Sequence, residues 1–237
     1  MSASTAAMPS STSVYTTRGF WERLWRTSGL QSVGLFIIAY VVYGYQPPVG
    51  ASADALVAFY GGGRTRILIA AVLSGLAVLN LMWFAAALRT TLADAAEDGW
   101  GAAATASSAA VGGLFLLLIA VGAALAYSIA GSGNQTLTSG LNDFAWVLVV
   151  LTSFPRAMLI MAGSFGLWRA RLISNGLFAA GVAAVVLALL GGTTWISGFW
   201  APDGAYSRFI SPIIGLGWVV VVSRVLLTRT PAARAGW

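Results

Sequence analysis

The stretch ILIAAVLSGLAVLNLMWFAAAL, residues 67–88, decides the fold class of this chain. It contains no charged residue, and at about 1.5 Å per helical residue it is long enough to cross about 30 Å of hydrocarbon. Similar apolar stretches recur along the chain, separated by short segments that contain charges, glycine or proline. The predicted spans are Leu30–Tyr45, Ile67–Leu88, Ser108–Ala130, Phe144–Leu167, Leu172–Ile196 and Phe209–Thr228. The sequence therefore predicts an all-α, polytopic integral membrane protein, a bundle of six transmembrane helices.

Composition supports a membrane protein independently. The mean hydropathy is +0.83, and only 8% of the 237 residues are charged, whereas a soluble domain has about 25% charged residues. Six spans and their connections use nearly the whole chain, so no room is left for a soluble catalytic domain. The net charge of +6 does not indicate a nucleic-acid partner, because the arginines flank apolar spans instead of forming one soluble basic face.

Three residue types are absent from the sequence: histidine, cysteine and lysine. Without histidine or cysteine the chain lacks the usual ligands of haem, iron–sulfur clusters and zinc. Without lysine it cannot form a Schiff base to retinal or pyridoxal phosphate. We therefore expect no cofactor and no metal.

The arginines predict the orientation. If the N-terminus is cytoplasmic, nine arginines fall on the cytoplasmic side and three, Arg64, Arg66 and Arg208, on the other, as the positive-inside rule requires. We expect a plasma-membrane protein with a disordered cytoplasmic N-terminal tail (1–27), a transmembrane domain (28–228) and a cytoplasmic C-terminal tail (229–237). A less favoured alternative is a cleaved secretory signal ending near Ala53, which leaves the orientation of the other spans unchanged.

Two local patterns have structural interpretations. Ser52 is a candidate N-cap for a short amphipathic helix that ends at Gly61-Gly62-Gly63, and we expect this helix to lie in the outer membrane interface. The glycine run followed by Arg64-Thr65-Arg66 fits a joint with interfacial arginines better than an anion cradle. The third span is rich in alanine, glycine and serine, so we expect it at the bundle centre.

The chain resembles a bacterial membrane family known as domain of unknown function 4386. The similarity lies in the amphipathic first loop, in Arg64-Thr65-Arg66 at the head of the second span, and in Phe154-Pro155 with Met158-Leu159 in the fourth span, followed by a basic turn. It covers about residues 30–228. The resemblance implies a six-helix bundle of uncharacterised role and supplies no catalytic residues.

Arg156 is the strongest candidate for function, because a charge inside a membrane costs about 2.5–3.5 kcal/mol and normally faces a bundle interior or a water-filled cavity. Asn80 is expected at similar depth, and Thr152 lies one turn away on the same helix. These three residues form the predicted ligand-binding site. The competing hypothesis, which we favour, is that Arg156 is an anchor that reaches the inner headgroups or the acidic inner loop around Glu97.

Catalysis has little support. Gly163-Ser164-Phe165-Gly166 resembles the serine motif of intramembrane rhomboid proteases, but that chemistry needs a histidine base. We therefore expect a non-enzyme that contacts the lipid bilayer and binds a lipophilic small molecule or the helices of another membrane protein. The alternative is a small transporter or channel with a polar site at Arg156 and Asn80.

Overall fold

The computed structural model describes residues 25–228, and the regular structure in that range is helical, without a β-strand. The α-helices in that range are α1 (Ser28–Tyr43), α2 (Ala53–Tyr60), α3 (Arg64–Asp94), α4 (Asp98–Ala124), α5 (Gln135–Leu151), α6 (Ser153–Arg169), α7 (Asn175–Gly191) and α8 (Ser211–Thr228). A π-helical turn, Leu125–Ile129, continues α4, and another, Tyr206–Ile210, leads into α8. The all-helical prediction is confirmed for this range. The predicted tails lie outside it, apart from residues 25–27.

Four helices in this range are long and apolar enough to cross a membrane: Arg64–Asp94, Asp98–Ser132, Gln135–Arg169 and Tyr206–Thr228. Each contains one predicted span. The other two predicted spans form shorter helices, since α1 has 16 residues and α7 has 17. Gly44 ends α1 with a φ of 80°, and Pro47 and Pro48 follow, which cannot continue a helix. The six-span count is therefore not confirmed by helix length.

Six helices pack in a closed ring: α1, α3, α4, α6, α7 and α8. α1 packs on α3, α3 on α4, α4 on α6, α6 on α7, α7 on α8, and α8 returns to α1. Glycine permits close approach at several crossings. A Cβ added at Gly29 of α1 would collide with Ser223 of α8, and one added at Gly163 of α6 would lie 2.5 Å from Trp218. Small residues thus set the helix spacing.

The expectation that the third span lies at the bundle centre is wrong. In the most apolar part of Gln135–Arg169, 56% of the residues are buried, against 33% in Asp98–Ser132. α5 and α6 form one nearly continuous helix that contacts helices on several sides. Small side chains allow close packing, but they do not by themselves place a helix at the centre. The α6 helix is more deeply buried because its Gly163 and Ser164 face a large partner, Trp218.

The short helix α2 has the predicted caps. Ser52 Oγ accepts a hydrogen bond from the amide of Ala55 at 3.4 Å, and the helix ends where the glycine run begins. Leu56 and Tyr60 are fully buried in a small apolar cluster with residues of α4 and α5. Because Tyr60 also donates a 2.9 Å hydrogen bond to Asn142 Oδ1, α2 is fastened to α5.

Candidate functional site

A cavity of about 410 Å³ lies inside the ring, between α1, α3, α4, the α5–α6 helix and α8. Along the π-helical turn and α8 its lining runs from Arg208 to Val219, a distance of about 16 Å at 1.5 Å per residue. Gln46, Trp146 and Arg208 line one end, and Leu81 and Trp218 line the other. Most lining side chains are aliphatic or aromatic. A cavity of this size, apolar with a few polar groups, is typical of a small-molecule site.

The rim of the cavity between α1 and α8 is apolar and exposed. On α1, Ile37 is 52% exposed and Val41 is 73% exposed, and on α8 Ile213 is 65% exposed. All three also line the cavity. Toward the end of the bundle that contains Gly29, α1 and α8 are in close contact, because Gly29 faces Ser223 there. Because exposed residues of both helices line it, the cavity opens laterally between α1 and α8 at this rim.

Arg156 lies in the first turn of α6 and points into this cavity. Its side chain is only 8% exposed. The guanidinium donates from Nη1 to Ser211 Oγ at 2.6 Å and from Nη2 to Thr152 Oγ1 at 3.1 Å. Gly215 gives the side chain its room, because an added Cβ there would lie 2.8 Å from Arg156 Cδ.

The second cation at the cavity is Arg208, which is 7% exposed. Its Nη1 donates to the carbonyl of Gln46 at 3.0 Å, and its Nε donates to the carbonyl of Asp203. The guanidinium also lies 4.0 Å from the ring centroid of Tyr45 and 4.4 Å from that of Trp146, both favourable cation–π distances. Arg208 is therefore held in position by carbonyls and rings.

Hydrogen bonds hold the loop that covers the Arg208 end of the cavity against α5. Trp146 Nε1 donates to the carbonyl of Pro47 at 2.9 Å, and Asn142 Nδ2 donates to the carbonyl of Pro48 at 3.1 Å. Asn142 itself is fully buried. Because Pro47 and Pro48 also restrict the backbone, Gln46 is presented to Arg208 from a fixed loop.

Neither buried guanidinium has a carboxylate partner within residues 25–228. The salt bridge found in that range joins Arg169 Nε to Glu97 Oε1 at 3.0 Å, at the other end of the bundle. An arginine has five N–H donors, and hydroxyl and carbonyl groups accept only some of those on Arg156 and Arg208. The cavity therefore holds two buried positive charges with donors to spare.

The structure brings together two of the three predicted site residues. Thr152 accepts the hydrogen bond from Arg156, and both line the cavity. Asn80 does not line it. Its Nδ2 donates to the carbonyl of Leu76 on its own helix at 2.9 Å. The form of the anchoring hypothesis in which Arg156 docks on the acidic inner loop is not found, since Glu97 of that loop pairs with Arg169 and the Arg156 bonds go to Thr152 and Ser211.

Sequence reasoning missed Arg208, Gln46 and Ser211. The sequence predicts Arg208 on the outer side, because an arginine just before an apolar span is typical of an interfacial anchor. One weak feature of the sequence separates a buried arginine from an interfacial anchor. Ser207 and Ser211 are four residues apart, and Ser211 follows Arg208 by three, so polar residues share one side of the helix that enters the last span. The contact between Gln46 and Arg208 joins distant parts of the chain, and no local pattern predicts it.

Two other motifs have structural explanations. Ser164 of the Gly163–Gly166 segment accepts a hydrogen bond from Trp218 Nε1 at 3.0 Å, so its hydroxyl supports packing between α6 and α8. After the glycine run, Arg64 lies over the ring of Tyr127 at 4.7 Å and Arg66 over that of Phe59 at 5.0 Å. These ring contacts fit the anchoring interpretation of both arginines.

The chain matches no protein-family model, no curated protein and no solved structure. The resemblance to domain of unknown function 4386 therefore stays a prediction.

Proposed function

We propose that this chain is a plasma-membrane protein that binds a lipophilic molecule from the bilayer in the cavity between α1 and α8. The observation that supports this is the exposed apolar rim, formed by Ile37, Val41 and Ile213, which leads into a mostly apolar cavity. In a membrane those rim residues face acyl chains, because exposed apolar side chains on apolar helices are solvated by lipid. A molecule dissolved in the bilayer can therefore enter sideways.

The proposal includes six spans with both termini cytoplasmic. α1 and α7, with 16 and 17 residues, are about 24–26 Å long, and a mismatch of this size is met by local thinning or snorkelling. Contacts between a loop and a helix at each end of the bundle support the alternation. Gly50 donates to Asp143 Oδ1 at 3.1 Å at one end, and Glu97 pairs with Arg169 at the other. The arginine bias then assigns the Glu97 end to the cytoplasm.

The transporter or channel alternative has less support. A transport path needs polar groups along its length, whereas the half of the cavity beyond Arg156 is lined by residues such as Leu81, Val111 and Phe115. Asn80, the second residue of that alternative, bonds to its own helix instead. Binding of partner helices is the other alternative. It has less support, because an apolar helix seated in the cavity would leave the buried charges of Arg156 and Arg208 without a partner.

The test is to fill the cavity. Ala71 of α3 lines it, and Ala71→Phe should displace the ligand. The neighbouring Val72 is 65% exposed on the outer face, so Val72→Phe is the matched control. The full-length protein in neutral detergent is titrated with a brominated octadecyl alcohol, and quenching of tryptophan fluorescence is measured, because Trp146 and Trp218 line the cavity. We expect quenching in the wild type and in Val72→Phe, and its loss in Ala71→Phe. Equal quenching in all three variants would overturn the proposal.

A further inference from the structure

We propose that the occupant of this cavity is a single-chain amphiphile with an oxyanion headgroup, a carboxylate or a phosphate, held by Arg156 and Arg208. This inference rests on the proposed function and names the chemical class of its ligand. It goes beyond it because a neutral lipophile would satisfy the apolar lining equally well.

The charge of the cavity favours an anionic ligand. Arg156 and Arg208 are 8% and 7% exposed, and no carboxylate within residues 25–228 lies at salt-bridge distance from either. A buried charge without a counter-charge is costly, and proteins pair such charges or bind a ligand of opposite sign. Ser211, Thr152 and the carbonyl of Gln46 contribute dipoles but no negative charge. The missing negative charge is one that a ligand can bring.

The two buried arginines are joined through the start of α8. Arg156 reaches Ser211 of α8, and Arg208 precedes Ser211 by three residues on the same helical path. The Arg156 guanidinium therefore lies about one helical turn along the chain from the backbone of Arg208, and both side chains line the same cavity. Planar guanidinium groups with free N–H donors match the oxygens of a carboxylate or phosphate, and such charge-assisted bonds are the strongest available here. An oxyanion between the two arginines uses donors that the protein leaves free.

The two positive charges lie at one end of the cavity. Both arginines belong to the half that ends at Gln46 and Trp146, whereas Val33, Phe115, Leu81 and Trp218 line the other half. The cavity is thus polar at one end and apolar at the other, as an amphiphile is. A free inorganic anion would leave the apolar half empty of ligand. The apolar rim on α1 and α8 lets the chain enter from the bilayer while the headgroup reaches the arginines.

The experiment compares probes that share one tail. The purified full-length protein is titrated with 9,10-dibromostearic acid and with 9,10-dibromo-octadecanol, and tryptophan quenching gives the two dissociation constants. We expect the acid to bind about 10- to 100-fold more tightly at neutral pH, the range for charge-assisted hydrogen bonds. Competition by unbrominated octadecyl phosphate, stearate and inorganic phosphate then distinguishes the headgroups. Displacement by inorganic phosphate alone, at the concentration at which octadecyl phosphate acts, would mean that a small anion is held and would overturn the proposal.

The variants assign the selectivity to the arginines. Arg156→Gln and Arg208→Gln should each abolish most of the preference for the acid while the alcohol still binds. Arg156→Lys, which keeps the charge, should retain part of it and guards against misfolding of the glutamine variant. Arg224→Gln is the matched control, because Arg224 is an exposed arginine of α8 outside the cavity lining. We expect it to behave as the wild type.

The outcomes separate the two proposals. If acid and alcohol bind equally and the arginine variants change nothing, the oxyanion inference is wrong and the binding of lipophiles stands. If neither probe binds, or binding is insensitive to Ala71→Phe, the proposed function itself fails.

Discussion

Arg156 Nη1 donates a hydrogen bond of 2.6 Å to Ser211 Oγ, and this bond joins the first turn of α6 to the first residue of α8. Both residues are buried, with 8% and 2% of their surface exposed. The bond fixes the guanidinium at the wall of the cavity instead of letting it extend to the headgroups. A cation held this way is positioned before any ligand arrives, which reduces the entropy that binding has to overcome.

Ser211→Ala tests the energetic weight of this bond. Removal of the hydroxyl leaves a buried charged donor short of one acceptor, so we expect the free energy of unfolding to fall by about 1–2 kcal/mol. The control is Ser107→Ala. Ser107 is buried as well, but its hydroxyl bonds to the carbonyl of Ala103 on its own helix, and its loss should cost less than about 0.5 kcal/mol. Denaturant unfolding in detergent measures both, and equal losses would contradict the prediction.

Arg156 and the inner acidic loop should be energetically independent. The bonds of Arg156 go to Ser211 and Thr152, whereas Glu97 pairs with Arg169, whose side chain is 57% exposed. We therefore expect the effects of Arg156→Leu and Glu97→Gln on stability to add within about 0.5 kcal/mol. A double-mutant cycle measures this. A coupling clearly larger than that would revive the idea that Arg156 anchors the acidic loop.

The proposed topology can be tested with introduced cysteines, because the sequence has none of its own. Tyr15→Cys and Ala232→Cys lie in the two tails, outside the described residues, and should resist a membrane-impermeant maleimide in intact cells. Gln135→Cys and Asp203→Cys should be labelled. Permeabilised cells provide the control that every cysteine is reactive once accessible. Labelling of either tail in intact cells would contradict the proposed six-span topology with both termini cytoplasmic.

Stability should decrease at alkaline pH because of Tyr60. Burial, with a smaller contribution from Tyr43, raises the pKa of the Tyr60 phenol well above its ordinary value of about 10. Above pH of about 10 the unfolded chain loses this proton and the folded chain keeps it, so stability falls as pH rises. The slope attributable to one such group is about 1.4 kcal/mol per pH unit. Tyr60→Phe should remove that slope, and Tyr127→Phe, at a 64% exposed tyrosine, is the control for loss of a phenol.

The sequence predicted the helical fold class well because hydropathy is a property of composition that needs no tertiary information. It placed every long apolar helix, and it predicted the caps of α2 from Ser52 and the glycine run. It predicted that Arg156 faces the bundle interior with Thr152, because a charge in an apolar span has to face inward, and both residues line the cavity. It could not predict the Gln46–Arg208 or Arg156–Ser211 contacts, which join residues 162 and 55 positions apart. Which helix faces meet depends on packing in three dimensions, and Asn80, although expected at the depth of Arg156, does not line the cavity.

Gly215 and Gly217 of α8 are a matched pair that differ in the room around them. A Cβ at Gly215 would lie 2.8 Å from Arg156 Cδ, whereas nothing lies within 4 Å of a Cβ at Gly217. Gly215→Ala should therefore push the Arg156 side chain from its position beside Ser211, weaken the acid-over-alcohol preference of the cavity by about tenfold, and lower stability by about 1–3 kcal/mol through overpacking.

Gly217→Ala adds the same methyl group to the same helix in open space, so it should leave the preference unchanged and gain up to about 1 kcal/mol from helix propensity. Ligand quenching and denaturant unfolding of the two variants measure both effects. If Gly215→Ala keeps full selectivity for the acid, the position of the Arg156 guanidinium is not what recognises the headgroup, and Arg208 alone has to account for it.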